Sequence, residues 1–170
     1  MYYELKGEII MENDKIFVES MVNGTVSLVL PGSTIARNWS KKGSKLAFDR
    51  QALYEAYYEP GIEYMFTHGI LYTDDMDFKK LVGLEDEDAT EPTKTIKLED
   101  SFIKRMISYM PASDFQKEME KLSYDQRGMV VDYILRHPTE LRLDRTEIVD
   151  KMCQINILKA IEMKKAEAEE

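Results

Sequence analysis

Apolar and polar residues alternate through the first fifty positions, and helical spacing replaces that pattern afterwards. Residues 15–22 and 25–30 flank Asn23-Gly24, a dipeptide that favours the type I′ turn of a two-residue hairpin. That reading sets Val22 opposite Thr25, Ser20 opposite Ser27 and Val18 opposite Val29. It gives one face to Phe17, Met21, Val26, Leu28 and Leu30, with Glu19 as a polar intruder. Tyr3, Leu5 and Ile9 predict a preceding strand interrupted by Gly7. Pro31-Gly32 ends the first hairpin, and residues 34–39 and 45–48 predict a second around 40–44. There Ile35, Arg37 and Trp39 share a face, as do Leu46 and Phe48 on the return strand. An antiparallel sheet of about four strands needs helices to cover it.

Those helices follow directly. Asp49 is placed to N-cap 50–58, whose Leu53, Ala56 and Tyr57 form an i, i+3, i+4 stripe. Pro60-Gly61 interrupts, 62–68 predicts a short helix ended by Gly69, and about 75–82 predicts another ended by Gly83. Beyond residue 98 the periodicity is helical throughout. One helix starts at Glu99 or Asp100 and stops at Pro111. Capping-box patterns at Ser113–Gln116 and Ser123–Gln126 start two more, the second burying Met129, Val130, Tyr133 and Ile134. Asp144–Glu147 caps a short helix through Met152, and Gln154 or Asn156 restarts a last one that frays from Lys164. Eleven methionines fall mostly at core-like helical positions and suit irregular packing.

Between these halves, residues 85–93 carry five acids, a proline and no apolar period, the pattern of a solvated linker. The expected organisation is an α+β module at 1–84 with two β-hairpins, an acidic linker at 85–97, and an all-α helical domain at 98–170. The fold class is therefore α+β. The net charge of −9 changes meaning in this light, since five acids at 85–91 and three at 167–170 account for eight of it. The rest of the chain is nearly neutral, and 92–166 is mildly positive. Acidity argues against a phosphate-coating protein but does not exclude nucleic-acid contact by the helical half.

Reactive chemistry has little to build on. Cys153 is the single cysteine, which excludes an internal disulfide and fits a reducing compartment. The longest charge-free stretch, 20–36, is broken by Asn23-Gly24 and Pro31-Gly32, so no membrane span is expected. Met1 is not followed by a signal peptide pattern. His68 and His137 each precede a helix breaker and read as helix-end groups. No nucleophile elbow is present. Asp74, Asp75 and Asp77 read as an acidic first helical turn, and neither they nor 85–88 have a calcium-loop pattern. Gly43-Ser44-Lys45 lacks phosphate-loop spacing and reads as a turn. The expectation is a protein that is not an enzyme and holds no metal or cofactor. An enzyme would require carboxylates such as Glu63, Asp74 and Asp75 to converge with raised pKa values.

Two surface clusters remain. Arg37, Trp39, Lys41, Lys42 and Lys45 gather at the second hairpin. They form either a basic, aromatic nucleic-acid contact or a packed tryptophan with a lysine-rich loop that discourages edge pairing. Tyr54, Tyr57, Tyr58 and Tyr64 crowd two short helices, more rings than such a pair buries, and predict a protein-binding surface. Arg37, Trp39, Lys42 and these four tyrosines are the candidate partner-binding residues.

The run from Val26 to Pro92 resembles small proteins of tailed phages and prophages. The resemblance is carried by Trp39, the Lys42-Gly43 turn, Leu53-Tyr54-Glu55-Ala56 and Glu59-Pro60-Gly61-Ile62-Glu63-Tyr64-Met65-Phe66. It covers about two fifths of the chain and consists of fold-forming residues. It implies a virion-associated or assembly protein, in the virion or host cytoplasm, whose partners are other virion proteins or further copies of itself. The helical tail resembles small helix-extended-loop-helix domains of nucleic-acid proteins, but their inter-helix glycine is absent around Gln154-Ile155-Asn156. The alternative function is thus a nucleic-acid-associated regulator using the helical domain or the Trp39 hairpin.

Overall fold

The computed structural model describes residues 2–5, 8–11 and 14–169, the first two stretches by backbone alone. The chain divides into two compact units, Met1–Lys97 and Leu98–Glu170. The fold is α+β, with small antiparallel sheets in the first unit and helices in the second.

In the first unit, β1 (Tyr2–Leu5) and β2 (Glu8–Met11) pair with each other, Tyr2 opposite Met11. The expected single strand over Tyr3, Leu5 and Ile9 is therefore two, and Gly7 lies outside the described residues. The next four strands are β3 (Lys15–Ser20), β4 (Val26–Val29), β5 (Ala36–Trp39) and β6 (Lys45–Asp49). They nest instead of forming two successive hairpins. β4 pairs with β5, while β3 pairs with β6 on one side and with β7 (Leu71–Tyr72) on the other. At its last residues, Glu19 and Ser20, β3 is flanked on both sides, and at Met21 the chain leaves the sheet with its N–H on the Ile70 carbonyl. The residues next to the turn, Ser20 and Met21, are already bonded to Ser44, Gly43 and Ile70, so long-range pairing overrides the local Asn23-Gly24 turn signal.

Register also decides which face is buried. Ile16 stands opposite Phe48 and Val18 opposite Leu46, so Ile16, Val18 and Ser20 point inward. Phe17 points out opposite Ala47, and Glu19 points out opposite Lys45. The expected assignment of Phe17 to the core is reversed by this pairing. On β4, Val26 and Leu28 face inward as expected, with Trp39 opposite Val26.

Three short helices cover these strands. Asp49 caps α1 (Arg50–Tyr57) by accepting the Ala52 N–H at 3.0 Å, and Leu53, Ala56 and Tyr57 are its buried stripe. Pro60 opens α2 (Pro60–Thr67) at its first position, where its missing N–H costs nothing. Asp75 caps α3 (Met76–Leu81) through the Phe78 N–H at 2.8 Å. Gly69 and Gly83 follow α2 and α3 with φ of 72° and 80°, the left-handed conformation in which glycine ends helices without a Cβ penalty. Arg50 ties three elements together. It forks onto the Asp75 carboxylate at 3.0 and 2.6 Å, donates Nε–H to Asp14, and gives its backbone N–H to the Asp14 carbonyl.

The second unit contains α4 (Asp100–Ser108), α5 (Ala112–Lys121), α6 (Tyr124–Arg136), α7 (Thr146–Cys153) and α8 (Ile157–Ala168). The capping box at Ser123 and Gln126 is present in full, and Met129, Val130, Tyr133 and Ile134 are buried as expected. At α5 the helix begins one residue before Ser113, behind Pro111 and without a side-chain cap. The end does not fray at Lys164, because α8 runs to Ala168 on good helix formers.

Between α7 and α8, Gln154 takes φ 54° and ψ 44°, left-handed for a residue with a Cβ. Non-glycine residues lose about 1–2 kcal/mol there, and glycine returns roughly 0.5–1 kcal/mol of that as chain entropy. Gln154→Gly is therefore expected to stabilise the second unit by about 0.5 kcal/mol. Chemical denaturation followed by helical circular dichroism checks this, and a lowered midpoint would contradict it.

Candidate functional site

The four candidate tyrosines all belong to α1, its cap and α2. The α1 stripe places Tyr57 inside, tilted on Phe66 at 5.9 Å and edge-on to Phe78 at 6.1 Å between ring centroids. Its hydroxyl is pushed up to about 12 by burial and by the charge of Glu63. Tyr54 lies half-buried on the flank. Tyr58, at the C-cap, is 54% exposed and meets Tyr54 and Tyr57 edge-on at 5.7 and 5.4 Å. Burial, a hydrogen bond with Tyr54 and the charge of Glu63 also raise the Tyr58 hydroxyl pKa, which links this cluster electrostatically to α2. On α2, Tyr64 is 46% exposed and stacks on His68 at 3.8 Å. Glu55, Glu59 and Glu63 are exposed on the same two helices. Rings braced by other rings lose little freedom on binding, and each keeps a polar tip. That combination favours a protein contact.

The hairpin candidates sit differently. Trp39 is fully buried, stacked on Phe48 at 5.6 Å, with its indole N–H donated to the Val18 carbonyl at 2.8 Å. Arg37 donates to the Ala47 carbonyl at 2.8 Å and lies 4.7 Å over the Phe48 ring. Trp39 is committed to the first unit's interior, which corrects its reading as a contact residue and leaves this turn no ring for base stacking, whereas Arg37 is half-buried beside it. Lys42 is half-buried in the turn at 40–44, which is stitched to β3 by the Gly43 N–H on the Ser20 carbonyl at 2.8 Å.

A cleft of about 510 Å³ opens on the outer face of the three-stranded sheet. Phe17, Glu19, Lys45, Tyr72 and Asp74 line it. Its acids are already engaged. Lys97 lies 3.1 Å from Glu19 and 3.4 Å from Asp74, and Lys45 lies 3.4 Å from Glu19. Burial pushes the Asp75 carboxyl up, but the hydrogen bonds and charge of Arg50 and the Phe78 N–H outweigh it and hold the group below the usual range. That is opposite to the shift required of a general acid. The charged Glu19 in the middle of β3 is the sequence signal that marked Phe17 as outward.

Beneath the cleft lies a buried polar core that sequence reading missed. Glu85 is 2% exposed and accepts hydrogen bonds from the N–H groups of Thr93, Lys94 and Thr95 and from the hydroxyls of Thr93 and Thr95. Burial alone would raise its pKa, but these donors bring it down to about 2. Lys79, also buried, donates to the Tyr72 hydroxyl and the Thr95 hydroxyl, both at 2.9 Å. The acidic run predicts a solvated linker acid at Glu85. It is instead the anchor that folds 93–95 onto the first unit. The flanking acids Asp86, Glu87 and Asp88 are exposed.

His68 and His137 cap the C-termini of α2 and α6, and His137 packs against Tyr133 at 4.5 Å. Among the described residues, no three His, Cys, Asp or Glu side chains converge as a metal site, and no helix is long and apolar enough to cross a membrane. Comparison with family models, with curated proteins and with solved structures returned no match.

Proposed function

We propose that this chain is a non-enzymatic structural or assembly protein of a phage or prophage that works through protein–protein contacts, in the virion or the host cytoplasm. The observation supporting the reading is the exposed, ring-braced pair Tyr58 and Tyr64 on α1 and α2, edged by Glu55, Glu59 and Glu63. Large amphipathic side chains held in place and left in solvent favour a buried contact, and the acids around them favour a basic partner surface. Other virion proteins are the partners this reading names.

The test is incorporation into particles. Particles from the strain encoding the chain, separated by density and quantified by mass spectrometry, are expected to contain it in stoichiometric copies. Tyr58→Ser with Tyr64→Ser is expected to lower that amount at least tenfold while Trp39 fluorescence and circular dichroism stay unchanged. Absence of the wild-type chain from both particles and assembly intermediates would overturn the reading. Full incorporation of the double variant would remove the tyrosine face from it.

A further inference from the structure

The helix ends are served unequally by cations. Among the described residues, each of α3 to α8 carries a lysine or arginine in its last turn, where it offsets the partial negative charge of the unpaired carbonyls. α1 and α2 carry none there. His68 stands at the end of α2, whereas α1 ends in Tyr58 and Glu59. The sequence holds no lysine or arginine from residue 51 to 78, a stretch with six acids. Arg50, at the opposite end of α1, is committed to Asp14 and Asp75. At the cation-poor end the rings form a corner. Tyr58 stands perpendicular to Tyr54, at 90° and 5.7 Å, and to Tyr57, at 89° and 5.4 Å. Tyr57 is taken inside, so the walls open to solvent are half-buried Tyr54 and exposed Tyr58. Glu63 is exposed on the adjoining helix, and its charge reaches both the Tyr57 and Tyr58 hydroxyls. Ring faces, a carboxylate and a helix C-terminus all attract positive charge, and the three meet here.

We propose that the corner between Tyr54 and Tyr58 receives an arginine side chain of the partner, its guanidinium lying on a tyrosine ring and forking onto the Glu63 carboxylate. The proposal rests on the reading of this face as a protein contact and names the group the face takes. Charge complementarity identifies a cation as the occupant, and two features select arginine over lysine. A guanidinium is planar and weakly hydrated, so it stacks on a ring and keeps its edge free to donate, whereas an ammonium holds its water. Its parallel N–H groups also match the two oxygens of a carboxylate. The deficit is particular to this place. Tyr109, the exposed ring at the end of α4, has Arg105 in its own last turn, and Tyr64 is already stacked on His68 at 3.8 Å.

Titration of the full chain with N-acetyl-arginine amide at constant ionic strength tests the site, read from the tyrosine ring signals in carbon–proton NMR spectra. Saturable shifts of Tyr54 and Tyr58 are expected, with N-acetyl-lysine amide binding about threefold more weakly or worse. Tyr58→Leu, which keeps bulk but loses the ring, and Glu63→Gln are each expected to weaken binding about fivefold, while Tyr58→Phe retains it. Both residues are exposed, so circular dichroism should be unchanged in all three variants. Shifts that are absent or do not saturate, a lysine probe bound as tightly, or binding indifferent to Tyr58→Leu or to Glu63→Gln would overturn the proposal. The titration needs no particles, so the two readings fail separately. Loss of particle entry by the Tyr58→Ser, Tyr64→Ser protein, with no probe bound by the wild type, would overturn the arginine and keep the contact. A wild-type chain that binds the probe but is absent from particles would overturn the particle reading alone and support the arginine site.

Discussion

Replacing Glu85 with alanine is expected to cost the first unit about 3 kcal/mol at neutral pH and to free the segment it anchors. The carboxylate collects three backbone N–H groups and two hydroxyls from 93–95. Removal leaves them underbonded and takes a counter-charge from buried Lys79, whose ammonium burial already disfavours. The magnitude agrees with linkage. A carboxyl held at about 2 in the fold and near 4.5 in the unfolded chain contributes on the order of 3 kcal/mol. Because the folded pKa is the lower, that contribution is complete above about pH 5 and is lost as pH falls through about 2. Denaturant unfolding followed by Trp39 fluorescence should show a wild-type advantage over Glu85→Ala and Glu85→Gln that shrinks steadily on acidification. Hydrogen exchange should show 93–95 opening in both variants. An advantage that does not vary between pH 7 and 3, or unchanged protection of those amides, would contradict the anchor.

The helices were legible in the sequence because their signals are local. Asp49, Asp75, Ser123 and Asn156 cap where a short polar acceptor precedes a periodic run, and Gly69 and Gly83 end helices where expected. Strand identity was legible for the same reason, but strand pairing was not. Asn23-Gly24 promises a hairpin whatever lies elsewhere, whereas β3 is claimed by β6 and β7 from 26 to 53 residues away in sequence. A partner at that distance leaves no mark on the turn. The burial error on Phe17 has the same origin. Counting apolar residues favoured its face, and only the charge of Glu19 spoke against it.

The candidate site divided along similar lines. Crowding of tyrosines on two short helices correctly predicted more rings than can be buried, and Tyr57 is the one taken inside. The lysines around Trp39 and Arg37 left the hairpin open between a basic contact surface and a packed tryptophan, and the packed tryptophan is what the fold contains. The roles of Trp39 and Arg37 depend on Phe48 and Ala47 across the fold, which composition does not reveal. Glu85 shows the converse. In a run of four acids, residues 85–88, nothing distinguishes the first until Thr93 and Thr95 fold back onto it.

Trp39→Ala is expected to be the most damaging single change, at about 3–5 kcal/mol, because it empties a fully buried site and forfeits both the Phe48 stack and the bond to Val18. Trp39→Phe keeps most of the volume but leaves the Val18 carbonyl without its indole donor, at about 1–3 kcal/mol. Near-ultraviolet circular dichroism and a shifted urea midpoint check both, the alanine variant losing more than the phenylalanine one. The pair also distinguishes core from contact. An internal tryptophan predicts that Trp39→Phe, wherever it remains folded, enters particles as well as wild type does, whereas Tyr58→Ser with Tyr64→Ser keeps stability and loses entry. A folded Trp39→Phe protein that fails to enter particles would show the ring acting at the surface after all.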